Sequence, residues 1–333
     1  MFTTENALIK YNILMEHCLD GNDLSSYEFP KLKVYLHPWL RDKTISIIAS
    51  EKGVGKSWVS LFIMRQLIYG APFCRWELEN FADVVLLDVE MAQSDIRKRW
   101  ELMTTGLDEP ITNFTLISAD VLGMAGQDTP NLTIPDWREA IFHMLRMTLL
   151  DGGLFVIDNI SAATPGRIEN EKSGWDDINS WLLRIKRELG ITIILCCHLP
   201  KKGKTPRGTS GIEDSNDTTI ILTPVKSPDH AHFKVEFGKH RLFHGDADVK
   251  PFELELRPDA NGRLEFFAGE VCKPDRRVEI IRLLVGGSKQ IEIAGTLDID
   301  TGYISRVVTN AKKAGFLTAR GKYTSAGEKV YES

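Results

Sequence analysis

Ile45-Ser-Ile-Ile-Ala-Ser50-Glu-Lys-Gly-Val-Gly-Lys56-Ser57, with Trp58 next to it, is the stretch on which the fold turns. Its first residues are an apolar, β-branched run, which predicts a strand. From Ser57 onward the pattern is helical, and Gly53 and Gly55 lie in the turn between. A strand, a turn carrying Gly-x-Gly-Lys-Ser and a helix make a P-loop in the context that motif requires. Backbone N–H groups around Gly53, Gly55, Lys56 and Ser57 can wrap phosphate oxygens at a helix N-terminus, where the helix dipole favours an anion. The candidate nucleotide ligands are therefore Ser50, Glu51, Lys52, Gly53, Val54, Gly55, Lys56, Ser57 and Trp58. Lys56 is expected at the β/γ-phosphates of ATP and Ser57 on Mg²⁺. Ser50 stands where the first glycine of the motif usually stands, and it is small enough to leave the loop intact. A chance glycine-rich turn is the bland alternative.

Working outward, apolar runs alternate with helical patterns from about residue 44 to 225: Ile45 to Ala49, Val84 to Asp88, Phe114 to Ile117, Leu154 to Asp158, Ile191 to Cys197 and Thr218 to Leu222. Such alternation predicts a mostly parallel, twisted sheet with helices on both faces. Phe233 to Phe237 and Phe252 to Leu256 read as an antiparallel extension. The fold class is α/β, a P-loop core with a small C-terminal domain. We place a helical arm at 1–36, the ATPase core at 37–270 and a winged helix-turn-helix at 273–333. The arm reads as an amphipathic helix (Ala7, Leu8, Tyr11, Leu14, Met15, Cys18) followed by a polar turn at Gly21-Asn22-Asp23.

Leu154-Phe-Val-Ile-Asp158 is an apolar strand ending in an acid. Downstream of a P-loop, that places Asp158 as the second Mg²⁺ holder. No glutamate follows Asp158, so the carboxylate that polarises the attacking water comes from elsewhere. Glu90, after Val84 to Asp88, is the candidate, on a strand expected to lie beside the P-loop strand. The competing reading makes Glu90 an acid at the start of a helix over Ser94 to Trp100.

His37-Pro-Trp-Leu40, the P-loop with Trp58, Asp88-Val-Glu-Met91, Val156-Ile-Asp158-Asn159, Cys197-His198 and Arg207-Gly-Thr-Ser210-Gly-Ile-Glu-Asp214 together resemble the AAA_25, or RepA-like, ATPases. That group is similar to hexameric plasmid and phage replicative helicases. The likeness spans roughly residues 37–245 and implies a RecA-like core that hydrolyses ATP with Mg²⁺; it supports hydrolysis more firmly than unwinding. It also implies that His198 senses the γ-phosphate, and that Lys239 and Arg241 form a finger pair reaching a neighbouring subunit in a homo-hexameric ring. A histidine making a structural hydrogen bond and a solvated strand-end cluster remain the alternatives for these positions.

In RecA-like motors the basic loop Lys201, Lys202, Lys204 and Arg207 faces a central channel and could track single-stranded DNA; otherwise it is a solvated surface loop. The segment Ala162 to Gly174 is a weaker candidate. Past Pro274 come three helical patterns, Arg276 to Leu284, Ser288 to Leu297 and Thr301 to Ala314, then a hairpin from Leu317. A helix-turn-helix with a wing would present Tyr303, Ser305, Arg306 and Thr309 to a duplex groove and Arg320 and Lys322 to phosphate. Winged helices also dock proteins, so replication proteins stand beside DNA as partners.

The net charge of -5 hides an asymmetry, because Lys273–Ser333 holds 11 Lys and Arg against 7 Asp and Glu. A basic end on an acidic body suits a polyanion met at the tail. No run approaches the roughly 20 apolar residues of a membrane span, and the N-terminus lacks a secretory layout. The expectation is a cytoplasmic protein without membrane contact. Cys18, Cys74, Cys196, Cys197 and Cys272 have no metal or redox spacing and read as reduced and structural.

Two functions follow. The leading one is a DNA-acting ring ATPase, helicase-like, in replication of a plasmid, phage or mobile element. The alternative is an ATP-switched initiator or regulator that binds duplex DNA without unwinding it. A recombinase-like filament fits the finger motif less well, and a small-molecule kinase would leave the basic tail unexplained.

Overall fold

The computed structural model describes residues 5–71, 73–107, 113–166, 175–199, 215–225, 231–241, 250–270, 276–297, 299–313, 315–325 and 327. The apolar runs become strands β3 (Ile45–Ser50), β5 (Val84–Asp88), β6 (Phe114–Ser118), β7 (Leu154–Asp158), β8 (Thr192–His198) and β9 (Thr218–Pro224). β3, β5 and β7 are buried along their whole length. This is the condition of strands covered on both faces, and it is why these segments read as continuous rather than alternating.

Among the described residues nine strands form one sheet, in the order β12 (Leu264–Glu270), β11 (Phe252–Pro258), β10 (Ala231–His240), β9, β3, β8, β7, β5, β6. The pairs from β9 through β6 are all parallel. β10 (Ala231–His240) runs antiparallel to β9, as expected, and β11 (Phe252–Pro258) and β12 (Leu264–Glu270) extend that edge. The order corrects one expectation. β5, which leads to Glu90, does not neighbour β3, since β8 and β7 lie between them. β5 pairs with β7 instead, so the acid reaches the site beside Asp158 and not from the strand next to the P-loop.

Helices pack on this sheet through apolar stripes. α6 (Pro135–Thr148) and α8 (Asp176–Glu188) bury Ile141, Phe142 and Leu145, and Ile178, Trp181, Leu182 and Ile185, in one core with the strands. α3 (Lys56–Tyr69) is buried over most of its length. Its inward Arg65 is held by Glu265 of β12 at 2.6 Å, the paired state that a cation 4% exposed requires. A smaller antiparallel sheet, β2-β1-β4, joins Leu40–Arg41, Val34–His37 and Glu77–Leu78. These three strands and β12 were not anticipated from sequence.

The arm contains α1 (Glu5–His17), in which no residue is buried. The polar turn expected at residues 21–23 is instead the opening of α2 (Gly21–Ser26). Asp20 is the reason: its carboxylate accepts from the N–H groups of Asn22 and Asp23 and caps the new helix.

The chain divides into two compact units: Met1–Lys250 with Leu254–Ala268, and Gly269–Ser333 with Pro251–Glu253. In the second, α9 (Arg276–Val285), α10 (Gln290–Leu297) and α11 (Thr301–Lys313) enclose a core of Ile280, Ile281, Ile293, Ile304, Val307, Val308 and Ala311. An antiparallel bridge between Leu317 and Tyr323 follows. Among the described residues, no helix is long and apolar enough to cross a membrane.

Candidate active site

The carboxyl ends of β3, β5, β7 and β8 meet at one edge of the sheet, where open α/β sheets place their ligands. Residues 51–55 leave β3 and enter α3. Gly53 and Gly55 have φ of +83° and +133°, in the left-handed half of backbone space that favours glycine. At Gly55 a Cβ would also stand 3.0 Å from the ring of Phe233 on β10. Gly55 is the N-cap of α3 and supplies no side-chain cap, so the first N–H groups of the helix remain available for an anion.

Lys56 is only 5% exposed, and burial, the dominant effect, lowers its pKa. Its ammonium lies 3.2 Å from Ser50 Oγ and 2.9 Å from His198 Nδ1. The serine that replaces the motif's first glycine thus serves as a partner for the loop lysine. His198, the last residue of β8, pairs in register with Ser50 at the end of β3. With a protonated Lys56 donating to Nδ1, a neutral ring carries its proton on Nε2, which faces Glu90 Oε2 at 3.8 Å. Asn159 Nδ2 donates to that same Glu90 oxygen and lies 3.2 Å from His198 Nε2. Asn159 is therefore the side-chain donor that holds this carboxylate, with the His198 ring beside it. Glu90 Oε1 faces Lys52 at 3.6 Å, across the exposed mouth of the loop.

Asp158 is 5% exposed and hydrogen-bonds with Ser57. Burial pushes its pKa up, while Ser57 and then Lys56 oppose that shift. Asp88 is its register partner on β5. Burial, and after it the charge of Asp158, raise Asp88 to about 6 against the N–H groups of Met91 and Glu90. Among the described residues, one Asp88 oxygen, Oδ2, is buried without a hydrogen-bond partner. Desolvated, adjacent carboxylates next to a serine hydroxyl form a donor set of hard oxygens that a divalent cation would neutralise. The residues present thus fit Mg²⁺ held by Ser57 and Asp158, with the phosphates of ATP in the cradle of residues 52–57. When bound, the cation would supply charge neutralisation on the phosphates.

The same cleft is lined by Trp58, Asp95 and Arg99, the last two on α4 (Gln93–Thr104). The Arg99 guanidinium lies 5.0 Å from the centre of the Trp58 ring.

The structure therefore brings the P-loop, Glu90, Asp158 and His198 into one site. It does not bring Lys239 and Arg241 there. Lys239 pairs with Thr219 and His240 with Thr218, which in turn pairs with Ser46 near the start of β3. They stand at the end of the sheet away from the P-loop: at ~3.3 Å per residue, the level of Lys239 is roughly 10 Å along the strand from Ser50, and Arg241 lies further on. Lys239 donates to Asn216 at 2.7 Å, and the backbone N–H of Arg241 to the Asp217 carbonyl at 3.0 Å. Lys201, Lys202, Lys204 and Arg207 lie outside the described residues, as does much of the segment from Ala162 to Gly174. Tyr303, Ser305, Arg306 and Thr309 occupy the exposed side of α11, opposite its buried face of Ile304, Val307, Val308 and Ala311. Arg320 and Lys322 are exposed near the turn before Tyr323. Asp88, Asn159, Asp95 and Arg99 were not anticipated as site residues. For Asn159 the signal was its place after the strand-end acid, and for Asp88 its position at the end of an otherwise apolar strand.

A phosphate cradle on the central strand, acids at the ends of β5 and β7 and a polar strand-end residue on β8 define a P-loop ATPase of the RecA-like class. The model of the AAA_25 family, described as an AAA domain, matches residues 14–204, and the chain belongs to that family. Among solved structures it is similar to the KaiC-like protein PH0186 of Pyrococcus horikoshii OT3, with 16% identity and a TM-score of 0.47, over 68% of this chain and 90% of that one. No curated protein matches the chain.

Proposed function

We propose that this ATPase works as a ring, a homo-hexamer, that couples ATP hydrolysis to movement along DNA in the replication of a plasmid, phage or mobile element. The observation that carries the reading is the place of Lys239 and Arg241. They stand at the far end of the sheet from their own P-loop, which supports a role toward a nucleotide bound by a neighbouring copy. An arginine brought in this way stabilises the charge of phosphoryl transfer. In the second unit, the exposed side of α11 carries Ser305, Arg306, Thr309, Lys312 and Lys313 over an apolar core. This supports a helix laid against duplex DNA, in a winged-helix role. Replication proteins are further partners in this reading, and the cytoplasm is the compartment it requires.

The test is steady-state ATP hydrolysis without DNA, with single strands and with duplex, with Lys56→Ala as control and particle mass measured by light scattering. Strong stimulation by single strands, together with an ATP-dependent ring mass, is the expected result. A monomer whose turnover ignores DNA would overturn the proposal. An assembly that binds duplex tightly without stimulation would point to the ATP-switched initiator instead.

A further inference from the structure

The exposed apolar side chains of the arm, Leu8, Ile9, Ile13, Leu14 and Met15, have nothing on them to identify an occupant. The shallow depression around Lys33, Asp83 and Asp151 contains no buried charge left unpaired. Asn159 is different. It is 2% exposed and sits one residue past Asp158, and its two amide ends perform separate tasks. Oδ1 accepts the N–H of Ala162 at 2.9 Å and caps the short helix over Ile160–Ala163. Nδ2 faces the other way, donating to Glu90 and lying 3.2 Å from His198.

We infer that Asn159 is a positioning residue for ATP hydrolysis, holding the Glu90 carboxylate where it can orient the attacking water. The inference rests on the reading of Glu90 as the group that polarises water. Its physical basis is anchoring. A glutamate side chain on a loop has rotamers to lose, and a buried amide fixed at its far end by a helix cap removes that freedom before substrate arrives. The donation from Asn159 to Glu90 is direct, with the His198 ring beside it.

Two substitutions separate positioning from folding. Asn159→Ser keeps an N-cap oxygen for Ala162 but loses the reach to Glu90. Asn159→Asp keeps the cap and the shape but turns the donor into an acceptor facing a carboxylate. Steady-state turnover of Mg-ATP and titration with a fluorescent ATP analogue would be measured for both, for Glu90→Gln and for the double variants. Analogue affinity is expected to stay near wild type while kcat falls about 10- to 100-fold, the scale of a misplaced catalytic group. In the Glu90→Gln background neither change should slow turnover further, because coupled residues do not add. Wild-type kcat in both Asn159 variants, with Glu90→Gln inactive, would overturn the inference and leave Glu90 standing. A multiplicative loss in the double variants would assign Asn159 a structural role only. Normal turnover by Glu90→Gln would remove the reading of Glu90 and this inference with it.

Discussion

Replacing Asp88 by Asn should make the nucleotide-free, metal-free protein more stable at neutral pH. Asp88 is fully buried, its Cα is paired with that of Asp158, and its Oδ2 has no hydrogen-bond partner among the described residues. Burial is the larger cause that raises it from 3.8 to about 6, and the neighbouring charge adds to it. A carboxyl whose folded pKa is raised binds its proton more tightly in the native state than in the unfolded chain. Its favourable contribution is therefore present below pH 4 and is lost as pH rises through about 6. A shift of that size corresponds to about 3 kcal/mol at pH 8, at 1.36 kcal/mol per unit. Asparagine keeps an Oδ1 to accept the N–H groups of Glu90 and Met91, which lie at 3.1 and 2.7 Å, and offers an amide N–H₂ in place of the unpartnered oxygen. Unfolding followed by tryptophan fluorescence in EDTA, from pH 4 to pH 8, would compare the two proteins. The variant's advantage should approach about 2–3 kcal/mol at pH 8 and shrink to nothing near pH 4. Mg²⁺ should stabilise the wild type more than the variant, since the cation offsets the same pair of charges. A variant that is equally or less stable at pH 8, with a difference that ignores pH, would refute the account of Asp88.

Further predictions concern assembly, the loop and the second unit. Arg241→Ala should bind an ATP analogue normally and lose hydrolysis by about 10³-fold or more, the scale of a finger arginine; mixing it with Lys56→Ala should restore part of the activity, and no recovery in the mixture would argue against a shared site. Gly55→Ala forces a side chain into φ +133° and to within 3.0 Å of Phe233, so it should cost about 1–3 kcal/mol of stability and weaken analogue binding, readable by thermal melting and titration. Arg306→Ala should weaken duplex binding and lower the salt slope by about one if the residue meets phosphate, as anisotropy at several salt concentrations would reveal.

The P-loop was legible because strand, turn and helix lie within one short segment and each part has its own local signature: β-branched residues, glycines and a Lys-Ser pair opening an apolar helix. The central strands were legible because burial on both faces removes any need for polar alternation. What escaped was either too short or too distant. β1, β2 and β4 are strands of 2–4 residues, fixed by packing around Trp39 and Trp76 rather than by periodicity. At residues 21–23 a polar triplet that favours turns was overridden by the Asp20 cap. The order of β3 and β5 cannot be read from either strand, since both are uniformly apolar and differ only in what they lie beside.

The same distinction separates the cradle from the reactive groups. The cradle comes from one continuous segment, whereas Glu90, Asn159 and His198 come from the ends of β5, β7 and β8, and their alignment depends on the order in which those strands pair. Asn159 illustrates the consequence. Next to Asp158 it reads as an ordinary strand-end residue, and only the parallel registers of β5 with β7 and of β7 with β8 bring its amide between a carboxylate and an imidazole. Lys239 and Arg241 carry the argument one level higher. Their register on β9 takes them away from every group of their own site, so any part they play in hydrolysis depends on a second copy of the chain.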